Sequence, residues 1–261
     1  MNAAMSPVSD RLRIVLVGTQ HPGNIGSAAR AIKTMGLSRL VLVAPERAPN
    51  AESTALAAGA DDVLEAAQRF DSLAEAVADC RLVLGCTARS RRVALDELLP
   101  RDAAARAVAE AAGGAEVALV FGRERTGLTN DELQLCHAAV HIPANPDYSS
   151  LNLAAAVQVL AYELRLALLA AAAAENVTPV ESRREDPPAS HTELEGFFSQ
   201  LAETLDAIDF HKGRAPESAM RKLRRLFLRS EPSEQEVRLL RGILADTQRM
   251  ARLAQKNGKD S

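Results

Sequence analysis

The chain has 261 residues, with 31 Lys and Arg against 34 Asp and Glu for a formal net charge of −3, and 47% of its residues are hydrophobic. This balance excludes a disordered, collagenous or disulfide-scaffold protein and gives no chain-wide positive field for nucleic acid. Aromatic residues make up 3% and Trp is absent, which argues against binding that relies on many stacked bases. One large domain, or one domain with an accessory module, fits the length.

The first apolar run of strand length, residues 13–17, leads into Gly18-Thr-Gln-His-Pro-Gly23-Asn24-Ile25-Gly26-Ser27-Ala-Ala-Arg30 and a helical pattern over 25–35. Glycines between a strand and a helix suggest a backbone approached closely by a ligand. Gly18 and Gly23 have P-loop spacing, but Asn24-Ile25 stands where Lys-Ser/Thr would bind phosphate and magnesium. The dinucleotide fingerprint is also missing, so a nucleotide-dependent dehydrogenase rests on Glu46 alone, which follows a second strand at 40–43. Taken by itself, the segment reads equally well as a glycine turn followed by a helix with Arg30 on its solvated face.

Strands at 82–85, 117–121 and 139–142 then alternate with helical patterns at 73–78, 103–111 and 131–136, before a long apolar helix over 151–174. Continuously apolar strands separated by helices predict an α/β domain, a parallel sheet flanked by helices on both faces. Asn152, Gln158, Glu163 and Arg165 interrupt the last run, so it is expected to be a half-buried helix and not a bilayer span. The start, MNAAMSPVSDRLR, lacks the order of a signal peptide. Cys80, Cys86 and Cys136 are too scattered for a disulfide framework or a C-x-x-C metal site and are expected to be buried, reduced thiols.

Two loops stand out beside the first. Leu119-Val-Phe-Gly122-Arg-Glu124-Arg-Thr-Gly127-Leu-Thr129-Asn-Asp-Glu132 ends the fourth strand, where open parallel sheets bind ligands, and Thr129 with Glu132 forms a capping box. Its plain reading is a capped turn with surface charges. His141-Ile142-Pro143-Ala-Asn-Pro146-Asp-Tyr148-Ser149-Ser150-Leu151-Asn152-Leu153 runs from the fifth strand into the long helix, and its Ser and Asn residues are either site residues or helix caps.

From residue 175 the composition turns to charge, Ser and Pro (Pro179, Pro187, Pro188), the pattern of a linker over 175–190. Three helical patterns follow in a module over 191–261. Thr192 is the expected cap of the first, Pro216 opens the second, which points Met220, Leu223, Leu226 and Phe227 inward, and Ser233 with Glu236 caps the third. Residues 1–190 carry a net −5 and residues 191–261 a net +2. Within 211–229, seven Lys and Arg face one Glu, which would let Arg221, Lys222, Arg224, Arg225 and Arg229 present a basic face to an RNA backbone. A solvated face on a helix bundle is the plainer reading.

Asn24-x-Gly26-x-x-x-Arg30, Phe121-Gly122-x-Glu124-x-x-Gly127 and Tyr148-Ser149-Ser150-Leu151-Asn152-Leu153, in that order at strand ends, make the chain resemble the SPOUT class of S-adenosylmethionine-dependent RNA 2′-O-methyltransferases. Within that class it is most similar to bacterial enzymes acting on cytidine and uridine of tRNA. The resemblance is close over residues 12–174 and looser beyond, and includes the run from Gly85 to Arg91. It implies a methyltransferase domain over 1–174 with a C-terminal trefoil knot, against the general absence of knots. It also implies a homodimer built through the knot and the long helix, a cytoplasmic location, and tRNA as substrate at nucleotide 32 of the anticodon loop. Another RNA ribose methyltransferase of the class and a non-catalytic RNA-binding protein are the other readings.

The resemblance implies a cofactor pocket at Cys86, Thr87, Ala88, Gly122, Ile142, Ser149, Ser150 and Leu151, holding S-adenosylmethionine. Because its sulfonium carbon is already electrophilic, no metal is expected. Arg30 is implied as the catalytic residue; a guanidinium is a poor base, so it is expected to donate to the hydroxyl oxygen. Asn24 would orient Arg30 or the ribose, Glu124 would steady the loops, and Ser150 and Asn152 would fix the ribose or the cofactor loop. Arg89, Arg91, Arg123 and Arg125 are expected to meet phosphates. His21 and His141 rank lower as bases because neither belongs to the motif.

Overall fold

The computed structural model of the protein describes residues 8–88, 95–175, 186–212 and 215–257. The chain divides into two compact units near residue 183. Arg89 and Arg91, and most of the expected linker, lie outside the described residues.

The first unit is built on seven strands: β1 Leu12–Val17, β2 Arg39–Val43, β3 Gln68–Phe70, β4 Cys80–Cys86, β5 Glu97–Leu98, β6 Glu116–Phe121 and β7 Ala138–Val140. Every pair is parallel, in the order β3-β2-β1-β6-β4-β7-β5. Strand alternation divides the apolar residues into two cores. Leu12, Ile14 and Leu16 face one cluster with Leu40, Leu84 and Leu119, covered by α1 (Pro22–Thr34), α5 (Pro100–Ala112) and α7 (Leu153–Glu175). Val15, Val17, Val41, Val83 and Val120 face the other, closed by α4 (Leu73–Ala76) and α6 (Asn130–Gln134). Burial on both faces is why these strands read as unbroken apolar runs. The exception is Arg13, whose side chain is buried at the amino end of β1 and held by Asp79 and Glu116 at 2.7 Å each.

Two strands and two helices escaped the sequence reading. Gln68–Phe70 and Glu97–Leu98 are short and largely exposed at opposite sheet edges, so neither carries an apolar run. Helices α2 (Ala51–Ala57) and α3 (Asp61–Glu65) are short, seven and five residues, and pack against α1. The polar interruptions in the long helix also mislead, because Leu153–Ala174 has a mean hydropathy of 1.6 and is long and apolar enough to cross a membrane by composition. Packing is the informative feature: Val157, Leu160, Ala161 and Leu164 are fully buried in the core shared with α1 and α5, while Tyr162, Leu166 and Leu169 are exposed.

In the second unit α8 (His191–Ala207), α9 (Pro216–Ser230) and α10 (Glu234–Asn257) surround a core of Leu194, Phe197, Phe198, Leu201, Leu228 and Val237. The cap of α8 is Ser190, not Thr192: Ser190 and Glu193 form the reciprocal capping box. Ser233 and Glu236 cap α10 as the spacing indicates. In α9 Met220, Leu223 and Phe227 pack against this core as the spacing indicates, and Leu228 is buried in it, whereas Leu226 is 50% exposed.

Candidate active site

The four neighbouring strands β1, β6, β4 and β7 place all three unusual loops at the carboxyl edge of the sheet, where chain order reverses and open α/β sheets bind ligands. A cleft of about 440 Å³ opens there. Its wall includes Cys86, Thr87, Ala88, Gly122, Ile142, Ser149, Ser150 and Leu151, all the residues expected at a cofactor. Phe121, Gly127 and Leu153, motif positions given no cofactor role from the sequence, also line it, as do Thr126 and Ala156. The signal for those last two was proximity to the motif residues.

The loop after β6 closes on itself. Arg123 and Gly127 exchange backbone hydrogen bonds, 3.2 and 2.8 Å, and a Cβ on Gly122 would lie 2.1 Å from the Gly127 carbonyl carbon. The two glycines are therefore needed to let one backbone strand lie against the other. Gly26 has a similar cause, since a Cβ there would lie 2.0 Å from the Ser53 carbonyl oxygen of α2. That glycine serves helix packing, which corrects the expectation of a close ligand approach.

Glu124 joins the loops. It accepts from the backbone N–H groups of Gln20 (3.0 Å) and His21 (3.1 Å) and from the Asn24 side chain (3.0 Å). Asn152 in turn donates to Asn24 Oδ1 at 3.0 Å, while its own Oδ1 accepts from Ala154 and Ala155 at the start of α7. The result is a continuous relay from the β6 loop through α1 to the amino end of α7. Burial works against the Glu124 carboxylate, but the hydrogen bonds from Asn24, Gln20 and His21 outweigh it and hold its pKa below the ordinary value. Thr87 is fixed by its N–H to Val140 O at 2.9 Å, and His141 Nδ1 lies 3.3 Å from Thr87 O. That contact gives His141 a structural place at the cleft rim.

Other expected residues stand differently, some of them in the cleft wall (Arg123, Arg125, Ser150) and some away from it. Arg30 is exposed on α1 and does not line the cleft; six residues past Asn24, it lies roughly 240° around the helix. No hydrogen bond joins Arg30 to Asn24 among the described residues, and the Asn24 amide is already engaged on both atoms. Ser150 is exposed at the rim. Arg123 does not reach outward for phosphate: its Nη1 donates to both carboxylate oxygens of Glu132 at 3.0 Å, bracing the loop against α6. Arg125 lines the cleft and is exposed. In the helical unit Arg224 is likewise drawn inward, forked onto Glu195 and stacked 4.3 Å from the Phe198 ring centroid. Arg221, Lys222, Arg225 and Arg229 are exposed. Cys80, Cys86 and Cys136 are free thiols, each pushed up to about 12 by burial. No group of three or more potential metal ligands occurs among the described residues.

A cleft across the carboxyl ends of a parallel sheet, walled by these three loops, defines a class, and the comparisons name it: the chain belongs to the SpoU rRNA methylase family, matched over residues 11–162. Residues 192–256 match the C-terminal domain of the tRNA methyltransferase TrmJ. The tRNA (cytidine/uridine-2′-O-)-methyltransferase TrmJ of Klebsiella pneumoniae is 54% identical over 234 residues, 90% of this chain and 95% of that protein. The tRNA (cytidine/uridine/adenosine-2′-O-)-methyltransferase TrmJ of Pseudomonas aeruginosa is 49% identical over 257 residues, 96% and 99%. The crystal structure of TrmJ from Z. mobilis ZM4 superposes with a TM-score of 0.76 at 36% identity, covering 90% of this chain and 97% of that one. The chain is a TrmJ-family member of the SPOUT class.

Proposed function

We propose that the protein transfers a methyl group from S-adenosylmethionine to the ribose 2′-hydroxyl of cytidine or uridine at nucleotide 32 of tRNA, in the cytoplasm and as a homodimer. The observation that carries the reading is the cleft itself: all eight residues expected at the cofactor line one cavity, beside a hydrogen-bonded relay of Glu124, Asn24 and Asn152. The residues suit the cofactor. Ile142, Leu151, Leu153 and Ala156 offer an apolar wall, while the main chain at 86–88 and 122–127 offers polar groups without a charged side chain from within those first three residues. When bound, S-adenosylmethionine supplies an electrophilic methyl group.

The protein's share of the chemistry is alignment. The relay fixes the loop before α7 relative to the loop after β6, so Ser149, Ser150 and Leu151 keep one geometry. Arg30, on the exposed side of α1, is the proposed donor that meets the ribose oxygen or its phosphate from solvent and favours developing negative charge. Arg125 at the rim and Arg221, Lys222, Arg225 and Arg229 on α9 supply exposed positive charge for the RNA backbone. A trefoil-knotted chain would bring the 86–88, 122–127 and 142–151 segments to one place, and the exposed Tyr162, Leu166 and Leu169 face of α7 is the proposed dimer surface.

The test is to incubate the protein with S-adenosylmethionine and unmodified tRNA and to map ribose methylation nucleotide by nucleotide. Methylation confined to nucleotide 32 is expected. Tight tRNA binding with no methylated ribose would favour the non-catalytic reading, and methylation elsewhere would reassign the substrate.

A further inference from the structure

Aromatic side chains are scarce in this chain, six Phe and two Tyr, and most of them are accounted for by packing. Phe121 is buried in the sheet core, and Phe197, Phe198 and Phe227 stack together in the helical unit. Tyr148 is the opposite case. It is 83% exposed, the most exposed large apolar side chain among the described residues, and it directly precedes Ser149 in the wall of the cleft.

Its exposure is not that of a loose loop. Asn145-Pro146-Asp147-Tyr148 forms a tight turn: Tyr148 N–H donates to Asn145 O at 2.9 Å, and Asp147 N–H donates to Asn145 Oδ1 at 3.1 Å. Pro at the second position of such a turn pre-sets its dihedral, and the Asn side chain closes it a second time. Four residues further on, Asn152 ties the segment into the Glu124 relay. A rigid aromatic ring is thus held out into solvent beside the reaction cleft, between two anchored points.

We infer that Tyr148 is the residue that receives the target nucleobase, stacking on its π-face while the ribose enters the cleft; this rests on the RNA methyltransferase reading above. The chemistry of the substrates favours stacking. Relatives 54% and 49% identical are described as acting on cytidine and uridine, and on cytidine, uridine and adenosine. Those bases share no donor and acceptor pattern: cytosine and adenine present an amino donor where uracil presents a carbonyl acceptor. A fixed set of hydrogen-bonding groups that accepted one would leave unpaired polar atoms against another. An aromatic face tolerates all of them, because every base has a π-face. Tyr148 therefore grips the base without reading its edge, and selection of the site falls to RNA shape and backbone contacts.

The test compares Tyr148→Ala, Tyr148→Leu and Tyr148→Phe with the wild type, using S-adenosylmethionine and anticodon stem-loop RNAs whose target nucleotide carries cytosine, uracil or no base. Tyr148→Ala is expected to lower kcat/KM on the cytosine and uracil RNAs by a similar factor, between about 5-fold and about 100-fold, the range of one base-aromatic stacking contact. Tyr148→Phe should stay within about threefold of wild type, and Tyr148→Leu should fall between the two. On the abasic RNA, the wild type and Tyr148→Ala should transfer methyl at the same rate, since the partner of the ring is gone. Cofactor affinity by calorimetry and elution volume should be unchanged in all three variants. An equal loss on abasic and intact RNA, a change in oligomeric state, or full activity of Tyr148→Ala would each overturn the assignment. If the wild type methylates no RNA at all, the methyltransferase reading itself fails, a result distinct from any of these.

Discussion

The two units of the chain use their polar side chains in opposite ways. In the sheet unit, the charged and amide groups at the strand ends are bonded to one another: Glu124 holds two backbone N–H groups and Asn24, Asn24 holds Asn152, and Arg123 is locked on Glu132. In the helical unit Phe197, Phe198 and Phe227 are packed inside while Phe210 is 47% exposed, and among the described residues Arg224 is the cation drawn into the core region. A site that must align atoms within tenths of an ångström needs restrained groups. A surface that meets a flexible phosphate chain works with unrestrained charge. The exceptions that would break this contrast are the free cations of the first unit and the bound one of the second.

The largest effect is expected at Arg30, an exposed cation of α1. Arg30→Ala should lower turnover by at least about 10²-fold, the scale of one lost charge-stabilising donor, with cofactor affinity within about twofold by calorimetry. Turnover near wild type would remove Arg30 from the chemistry. Glu124→Ala comes next and acts through geometry. It leaves three donors without their acceptor, at a cost of about 1–3 kcal/mol for each one that water cannot reach, so both the melting temperature and methyl transfer should fall. The same carboxylate predicts an acid limit. Its pKa is held below the ordinary value of 4.5, so its contribution is complete above that value and is lost as pH falls through the lower folded value. Glu124→Gln should therefore remove part of the acid-induced loss of stability seen in the wild type.

The helical unit should separate its cations cleanly. Replacing Arg221, Lys222, Arg225 and Arg229 with Ala is expected to weaken tRNA binding by about 10-fold to 100-fold and to flatten the salt dependence by about one unit of slope per lost phosphate contact, without lowering the melting temperature. Arg224→Ala should do the reverse, because it breaks the fork on Glu195 and the contact with Phe198, destabilising the unit by about 1–3 kcal/mol with a smaller change in tRNA affinity. Equal loss of tRNA affinity in the two variants would mean that the basic stretch acts as one patch.

Much of this site was legible because most of the residues that line the cleft belong to two of the three motifs or to the run from Gly85 to Arg91, each at a strand end. What stayed hidden was decided by partners far away in sequence. Helical spacing sets Arg224 between Met220 and Phe227 at the edge of the apolar face and Arg225 away from it, but the partner that holds Arg224 there, Glu195, lies 29 residues earlier. Gly26 looks like a ligand-contact glycine until Ser53 is seen beside it. The strands at Gln68–Phe70 and Glu97–Leu98 bury too little to leave a periodic signal, whereas β1 and β6 are apolar on both faces and plain in the sequence. The eight-residue cofactor wall was implied by the family resemblance that the motifs carry, but the relay that stiffens it follows only from the way β1, β6, β4 and β7 lie side by side.

The smallest effect is expected at Cys86, the one thiol in the cleft wall. Its side chain carries the chemically softest group there, yet burial pushes it up to about 12, so at pH 8 little of it is the nucleophilic thiolate. If the cleft binds through main chain at 86–88, the side chain is filler. Cys86→Ala should then change cofactor affinity by less than about threefold, and iodoacetamide should label Cys86 slowly at pH 8 and about tenfold faster for each unit of added pH. Labelling at the rate of a free thiol, blocked by S-adenosylmethionine, would place the sulfur in water and in contact with the cofactor. The sheet unit would then hold an unrestrained reactive group at its centre, and the contrast between its bonded interior and the open charge of the helical unit would no longer stand.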